Sequence, residues 1–329
     1  HSASRILSTV FVGGGTPSIL SSDALGQLFT SLRMYFQVCD DDEITVECNT
    51  GTVDRQKLEV MRDAGVNRLS FGVQAMDDTT LSRIGRIHTV SEVIHSYQLA
   101  RELGFGNINL DLIFALPSQT VDRWKYSLNE VVALSPEHIS AYNLMFEEGT
   151  AFYESWQAGK LKRIPEEIEA EMYSLTIETL MSQGYEHYEI SNFAQPGFTV
   201  RHNLVYWGNQ PYVGLGPGAC GYVNGLRYSN IRGIQDYADC LSKGRKPITD
   251  SEQLTGRDEK GETIILGLRK REGIEEEDYR HRFGESITVA FGDVLEKWIG
   301  LGLLEWNNAC LRLTKRGLFL ANEVFVDFL

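Results

Sequence analysis

The sequence predicts an α/β chain: a parallel sheet, open or wrapped toward a barrel, over roughly the first half, followed by a mostly helical carboxyl-terminal module. Three observations carry that expectation. Short apolar runs alternate with helix-like periodicity from Leu7 to Gln183, the pattern of parallel strands joined by crossover helices. One parity of those runs is polar near the carboxyl end of each strand. Residues 254–329 hold helical patterns closed by a hairpin.

Each element has its own warrant. Leu7–Val12 is an apolar strand that stops at Gly13-Gly14-Gly15-Thr16-Pro17, where bare backbone allows a tight turn or close approach and proline stiffens the exit. Helix Ser22–Phe36 starts on a Ser/Asp pair, residue types that cap exposed amides. There follow strand Ile44–Glu47, helix Val53–Ala64, strand Arg68–Val73 and one long helix, Leu81–Leu103. Strand Ile108–Phe114, helix Val121–Leu134, strand His138–Leu144 and helix Glu166–Gln183 complete the alternation. Near the end, Glu272–Gly284 reads as a solvated acidic helix start, and Gly302–Thr314 as a hairpin turning at Asn307-Asn308. A last helix covers Arg316–Phe328. Helices closed by a hairpin suggest a winged-helix-like module.

Composition limits the partners. A chain of 329 residues with 42% hydrophobic content fills about two domains with ordinary cores. Its 31 Lys and Arg against 45 Asp and Glu give a net charge of −14, which disfavours nucleic acid and anionic lipid. From Leu254 onward eleven basic residues face fourteen acidic ones, so the winged-helix-like module lacks a nucleic-acid footprint and reads as a lid or docking surface. No apolar run is long enough for a bilayer, and no signal-like segment opens the chain; no stable membrane insertion is expected. The five cysteines, Cys39, Cys48, Cys220, Cys240 and Cys310, are scattered without a CxxC pair, so neither a disulfide framework nor a zinc site is readable and a reducing compartment is the default.

Strand parity says most about function. Ile44 and Val46 alternate with Thr45 and Glu47; Leu69, Phe71 and Val73 with Ser70, Gly72 and Gln74; Ile108, Leu110 and Leu112 with Asn109 and Asp111; Ile139 and Ala141 with Ser140 and Tyr142. Alternate positions share a face, so Glu47, Gln74 and Asp111 should point into one interior. That interior holds either a polar ligand or a self-satisfied polar network, and its place near the carboxyl ends of the strands favours the ligand. The glycine run carries neither GxxxxGK[ST] nor GxGxxG, so it is not a nucleotide fingerprint.

Ordered blocks now resemble a known family. GGGTP, "TVECNTGTVD" (Thr45–Asp54), "GVNRLSFGVQAMDD" (Gly65–Asp78), "IGRIHT" (Ile84–Thr89), "INLDLIFALPSQT" (Ile108–Thr120) and "HISAYNLMFEEGTAFY" (His138–Tyr153) are similar to the radical S-adenosylmethionine (SAM) enzymes around oxygen-independent coproporphyrinogen III oxidase. The resemblance implies a partial (β/α)6 barrel with SAM across its carboxyl rim. It places Gly14, Gly15 and Thr16 at the methionine amino end and Glu47, Gln74, Arg86 and Asp111 around the rest. The chemistry agrees: a guanidinium suits a carboxylate, and carboxylates suit hydroxyls or an ammonium. By itself Arg86 also reads as one half of a solvated surface pair. The family's CxxxCxxC, which carries a [4Fe–4S] cluster, precedes GGGTP, yet no residue before these glycines is a cysteine. Cys39, in an inter-element loop, and Cys48, after the second strand, are wrongly placed to replace it. Since the chain starts at His1, the expectation is a chain without its first barrel strand, its cluster cysteines belonging upstream in the full-length protein.

The segment Tyr185–Gly225 selects the branch. HNxxYW, at His202, Asn203, Tyr206 and Trp207, followed by YxGxGPGA, at Tyr212–Ala219, resembles the HemW heme chaperones rather than the true oxidases, which decarboxylate two propionates of coproporphyrinogen III. That implies heme as cargo and an apo-hemoprotein as acceptor, with His202, Tyr206, Trp207 and Cys220 as heme contacts. The residues alone also read as aromatic core and a hydrogen-bonded structural histidine. Cys220 stands in GPGACG where the family has GPGAHG; a thiolate also ligates heme iron. Thr50, in ECNT, replaces a proline, and His88 follows the family without a readable role. The division expected is 1–184 barrel, 185–253 family-specific segment and 254–329 winged-helix-like domain. The location expected is cytoplasmic, or mitochondrial or plastid where a transit peptide has been lost.

Overall fold

Five parallel strands lie side by side in chain order: β1 (Ile6–Val12), β2 (Gln37–Cys48), β3 (Arg68–Gln74), β4 (Ile108–Phe114) and β5 (His138–Asn143). A computed structural model describes residues 6–329. β7 (Asn192–Ala194) continues the sheet antiparallel to β5, and β6 (Glu186–Glu189) lies outside it. The chain divides into two units, the first running to His187 and including Ser191–Thr199, the second holding Tyr188–Ile190 and Val200–Leu329.

Crossover helices join the parallel strands: α1 (Ser22–Tyr35), α2 (Arg55–Asp63), α3 (Asp78–Arg83), α4 (Val90–Glu102) and α5 (Val121–Leu134), with α6 (Ala151–Gln157) and α7 (Glu166–Ser182) after β5. Ser21, Asp54, Asp77, Thr89 and Thr120 each cap a helix by accepting an amide of its first turn, which satisfies donors the helix itself cannot. Val46, Leu69, Val73, Leu110 and Leu112 of the strands are fully buried, as are Leu58 and Met61 of α2 and Trp124 and Leu128 of α5. The Trp124 indole N–H donates to the Met172 carbonyl at 3.1 Å and to Thr176 Oγ1 at 2.9 Å on α7, so this large ring is buried without an orphaned donor.

Three boundaries differ from the sequence reading. β2 starts at Gln37 and pairs with β1 across a register shift between Leu7 and Thr9; the Cys39 N–H donates to Asp42 Oδ2 at 2.6 Å within that irregular stretch. Cys39 therefore lies in a strand rather than a loop, and Cys48 is the last residue of β2 rather than beyond it. The helix expected over Leu81–Leu103 is two helices. Gly85, at φ +74°, takes a conformation costly for other residues, and Thr89 and Glu92 restart the chain with a capping box. β5 ends at Asn143.

The second unit begins with α8 (Arg201–Trp207). A three-stranded antiparallel sheet has the order β10 (Ile248–Gln253), β9 (Leu226–Asn230), β8 (Cys220–Val223), with α9 (Ile234–Ser242) between β9 and β10. Asn224 and Gly225, both at positive φ, turn the β8–β9 hairpin as such two-residue loops require. Then come α10 (Gly256–Leu268), β11 (Ile274–Glu275), α11 (Glu276–Phe283), α12 (Ile287–Gly300), β12 (Leu304–Asn307) and β13 (Cys310–Leu313), with sheet order β11-β13-β12. The hairpin expected here forms, but its turn falls on Asn308-Ala309, where Asn308 takes φ +47°. The last helix is again two, α13 (Lys315–Phe319) and α14 (Ala321–Val326), separated at Leu320, whose φ and ψ of −122° and 25° are not helical. Among the described residues no helix is long and apolar enough to cross a membrane.

Candidate functional site

A polar cavity of about 250 Å³ opens in the first unit where β1 to β4 finish, lined by Gly15, Thr16, Glu47, Gln74, Arg86 and Asp111. Six side chains or backbones expected to meet do so. Gly14 joins them through its N–H, which donates to Glu47 Oε2 at 3.1 Å. Gly14 and Gly15 take φ of +83° and +156°, and a Cβ on either would meet nothing within 4 Å. The backbone there is open to its surroundings, with the Gly14 amide held by Glu47. Gly13 is constrained differently: its Cβ would stand 2.6 Å from Phe11 Cε1 and 2.7 Å from the Glu47 carboxylate, so the close approach that seats Glu47 excludes any side chain there.

Residues the sequence reading left out hold this arrangement. Asn49 Nδ2 donates to Thr16 Oγ1 at 3.0 Å and its N–H to Ser18 Oγ at 3.1 Å. Lys57 Nζ donates to the carbonyls of Ser18 and Thr52, each at 2.8 Å, which fixes the turn after the glycines. Gln74 sits at φ +70°, at a register shift in the β3–β4 pairing, so a bulge aims it. His88 is 6% exposed and donates from Nε2 to the Val73 carbonyl at 3.3 Å, tying the Arg86 turn to the residue before Gln74. The Asn–X–X–Thr turn and the IGRIHT histidine are visible in sequence, but their partners are distant along the chain.

The polar interior turns out to hold both arrangements that parity allows. Asp111 accepts from Ser70 Oγ at 3.0 Å and Asn109 Nδ2 at 2.7 Å; Asn109 Oδ1 in turn faces His138 Nδ1 at 2.6 Å and accepts from Ser140 Oγ at 3.1 Å. That is a satisfied network, and its members Ser70 and Asp111 line the cavity together with Glu47, Gln74 and Arg86. Burial raises the Asp111 carboxyl above its ordinary pKa against the opposing bonds from Asn109, Ser140 and Ser70. It raises Glu47 as well, partly offset by the Gly14 amide and reinforced by Asp111. Burial lowers the Arg86 guanidinium, which Asp111 opposes. All three shifts mark charges short of solvation, a condition that a ligand of opposite charges relieves. Cys48 also lines the cavity, and burial pushes its thiol up to about 12, which keeps it protonated. Among the described residues no group of three or more His, Cys, Asp or Glu is placed to hold a metal ion.

The other named residues lie in the second unit. On α8, His202 Nε2 and the Tyr206 hydroxyl are 2.9 Å apart, and the Tyr206 ring meets Tyr212 edge-on at 4.6 Å between centroids. Burial pushes the Tyr206 hydroxyl up to about 12, with Tyr212 and Cys220 adding to the shift. Cys220 is exposed, its Sγ 3.3 Å from Ser229 Oγ. Trp207 belongs elsewhere. It lines a second cavity, of about 750 Å³, that receives none of His202, Tyr206 and Cys220. The Arg269 guanidinium lies over its ring at 4.3 Å.

Comparison with known proteins follows the same division. Residues 2–131 match the Radical SAM superfamily and residues 254–320 the HemN C-terminal domain. The chain is 40% identical over 324 residues to the heme chaperone HemW of Bacillus subtilis, spanning 98% of this chain and 86% of that protein. It is 36% identical over 323 residues to the heme chaperone HemW of Lactococcus lactis, spanning 98% and 85%. Among solved structures, coproporphyrinogen III oxidase (HemN) of Escherichia coli, a radical SAM enzyme, matches with a TM-score of 0.84 over 98% of this chain and 78% of that one. At 22% identity that likeness speaks for an α/β radical SAM partial barrel followed by a carboxyl-terminal region, and for the fold alone.

Proposed function

The chain belongs to the HemW heme chaperone family, built on a radical SAM scaffold, and from that membership we propose that it binds heme and delivers it to an apo-hemoprotein. The observation that supports this reading best is the state of α8. None of its seven residues is buried, so His202, Tyr206 and Trp207 of HNxxYW are not spent on a core. Half-exposed aromatic faces beside an imidazole and an accessible thiol are what a macrocycle and its iron require. His202 and Cys220 are the iron ligands of this reading, and Tyr206 its ring contact.

Family membership implies SAM and a [4Fe–4S] cluster as well. The cavity of the first unit fits SAM chemically: half-buried Glu47 and Asp111 for an ammonium or ribose hydroxyls, Arg86 for the carboxylate, and the uncrowded backbone of Gly14 and Gly15 beside Thr16. SAM when bound would supply a sulfonium centre, and these side chains would hold and orient it. Among the described residues no group of three or more His, Cys, Asp or Glu is placed to hold a cluster. Residues 254–329 are read as a winged-helix-like module, from the helix–strand–helix–helix–strand–strand order of α10 to β13. Their acidic balance suits docking or covering better than nucleic acid.

Hemin titration followed through the Soret band tests the reading. Wild type should bind saturably, His202→Ala should bind at least tenfold more weakly, and Cys220→Ala should alter the band position. Absence of saturable binding by the wild-type chain would overturn the carrier reading.

A further inference from the structure

The cavity of about 750 Å³ in the second unit is lined by residues of α8 and its following turn, the β8–β9 turn, α10 and α11, and its size is in the range of small-molecule sites, roughly 300–1,000 Å³. One wall is a closed network. Arg282 donates to the Asn209 carbonyl at 2.9 Å and to the Tyr222 hydroxyl at 3.1 Å, and meets Glu259 at 3.3 Å, while Asn209 Nδ2 donates to Thr263 Oγ1 at 2.9 Å. That wall is preorganised and needs nothing more.

The facing wall is incomplete. The indole N–H of Trp207 and the hydroxyl of Tyr279 are buried with no hydrogen-bond partner among the described residues, and Tyr279 as a whole is 1% exposed. Orphaned buried donors destabilise a fold, so their retention points to a partner that arrives later. Lys270 is the cation on this side. Its ion-pair partner Glu272 is 3.2 Å away with its side chain 74% exposed, a pairing that holds the ammonium only weakly. At the rim Glu275 and Asp278 are exposed. They would repel a bare anion that brought no apolar contact, whereas the half-buried Trp207 ring gives an aromatic body a surface to lie on.

We propose that this cavity seats a planar aromatic ligand by its carboxylate edge, the carboxylate on Lys270 and the ring system against Trp207. Resting on the carrier reading above, the ligand is the porphyrin of the cargo, gripped in this cavity by its propionates. The seat thereby assigns part of the HemN C-terminal domain region to cargo binding, and it gives Trp207 a task separate from that of His202 on the same helix.

Iron-free protoporphyrin and its dimethyl ester separate the parts. In anisotropy titrations of the full chain, Lys270→Gln should bind protoporphyrin about tenfold more weakly and the ester no differently from wild type. Tyr279→Phe, which deletes an orphaned hydroxyl, should keep or raise the melting temperature and still lose affinity, a combination that a purely structural tyrosine would not give. Unchanged protoporphyrin affinity in both variants, with hemin still bound by wild type, would overturn the seat and leave the carrier reading standing. A wild-type chain that binds neither porphyrin would overturn both.

Discussion

At the scale of single residues, the first cavity is defined by charges that burial makes uncomfortable. Glu47 and Asp111 titrate above the ordinary carboxylate range of roughly 4. Without a ligand the fold favours their protonated forms, so their contribution to stability is present at low pH and lost as pH rises through the raised values. A cationic ligand needs the ionised forms. SAM affinity should therefore fall as pH drops through a window above the usual carboxylate range, and Asp111→Asn should flatten that dependence; calorimetry from acidic to neutral pH checks both. Gly13→Ala is the sharper steric test. A methyl there collides with the Phe11 ring and the Glu47 carboxylate, overpacking that costs about 1–3 kcal/mol, and it should weaken SAM at least tenfold by moving Glu47. Glu47, Gln74 and Asp111 were legible because strand parity groups them, and Arg86 through its motif. Gly13 was not distinguished from its neighbours, because three adjacent glycines look alike until a side chain 34 residues away closes on one of them. Asn49 and His88 were unreadable for the same reason: each acts on a carbonyl or hydroxyl from another segment.

At the scale of elements, periodicity located the strands and misjudged two helices. Apolar spacing runs on from Leu81 to Leu103, since Leu81 and Val93 both face the core, yet the chain breaks at Gly85 and recaps at Thr89. The signal was present as Thr89-x-x-Glu92, a capping box inside an apparent helix. That break has a use: it presents Arg86 in a turn, with His88 anchored to β3 behind it. Gly85→Ala puts a β-carbon at φ +74°, which destabilises by about 1 kcal/mol or more. Because the strain falls beside Arg86, SAM affinity should drop as well, whereas Thr89→Ala should cost a similar amount of stability, about 0.5–2 kcal/mol, with a smaller loss of affinity. Urea unfolding alongside SAM titration of the two variants separates a turn that positions a cation from one that only ends a helix. Equal losses of affinity would reject the positioning role.

At the scale of the whole chain, the two sites differ in what they are made of. Every residue lining the cavity of about 250 Å³ comes from the first unit, and every residue lining the cavity of about 750 Å³ from the second. The sequence hinted at such a separation through a change of pattern after Gln183, but Tyr188–Ile190 belongs with the second unit and Ser191–Thr199 returns to the first, an excursion that no linear boundary describes. A ligand that binds only the folded state of its own unit raises the free energy of every opening that destroys its site, by about 2.7 kcal/mol at a hundredfold excess over Kd. That corresponds to exchange roughly a hundredfold slower for amides exposed only in that opening. Saturating SAM should accordingly protect β1 to β4 amides around Gly14, Glu47, Gln74 and Asp111, and leave α10 and α11 unchanged. Protoporphyrin should protect α10 and α11 around Lys270 and Tyr279 and leave β1 to β4 unchanged. Hydrogen exchange read by mass spectrometry distinguishes the cases: two separate maps mean that cofactor and cargo report on separately opening units. Protection of both units by either ligand would mean that the chain opens as one.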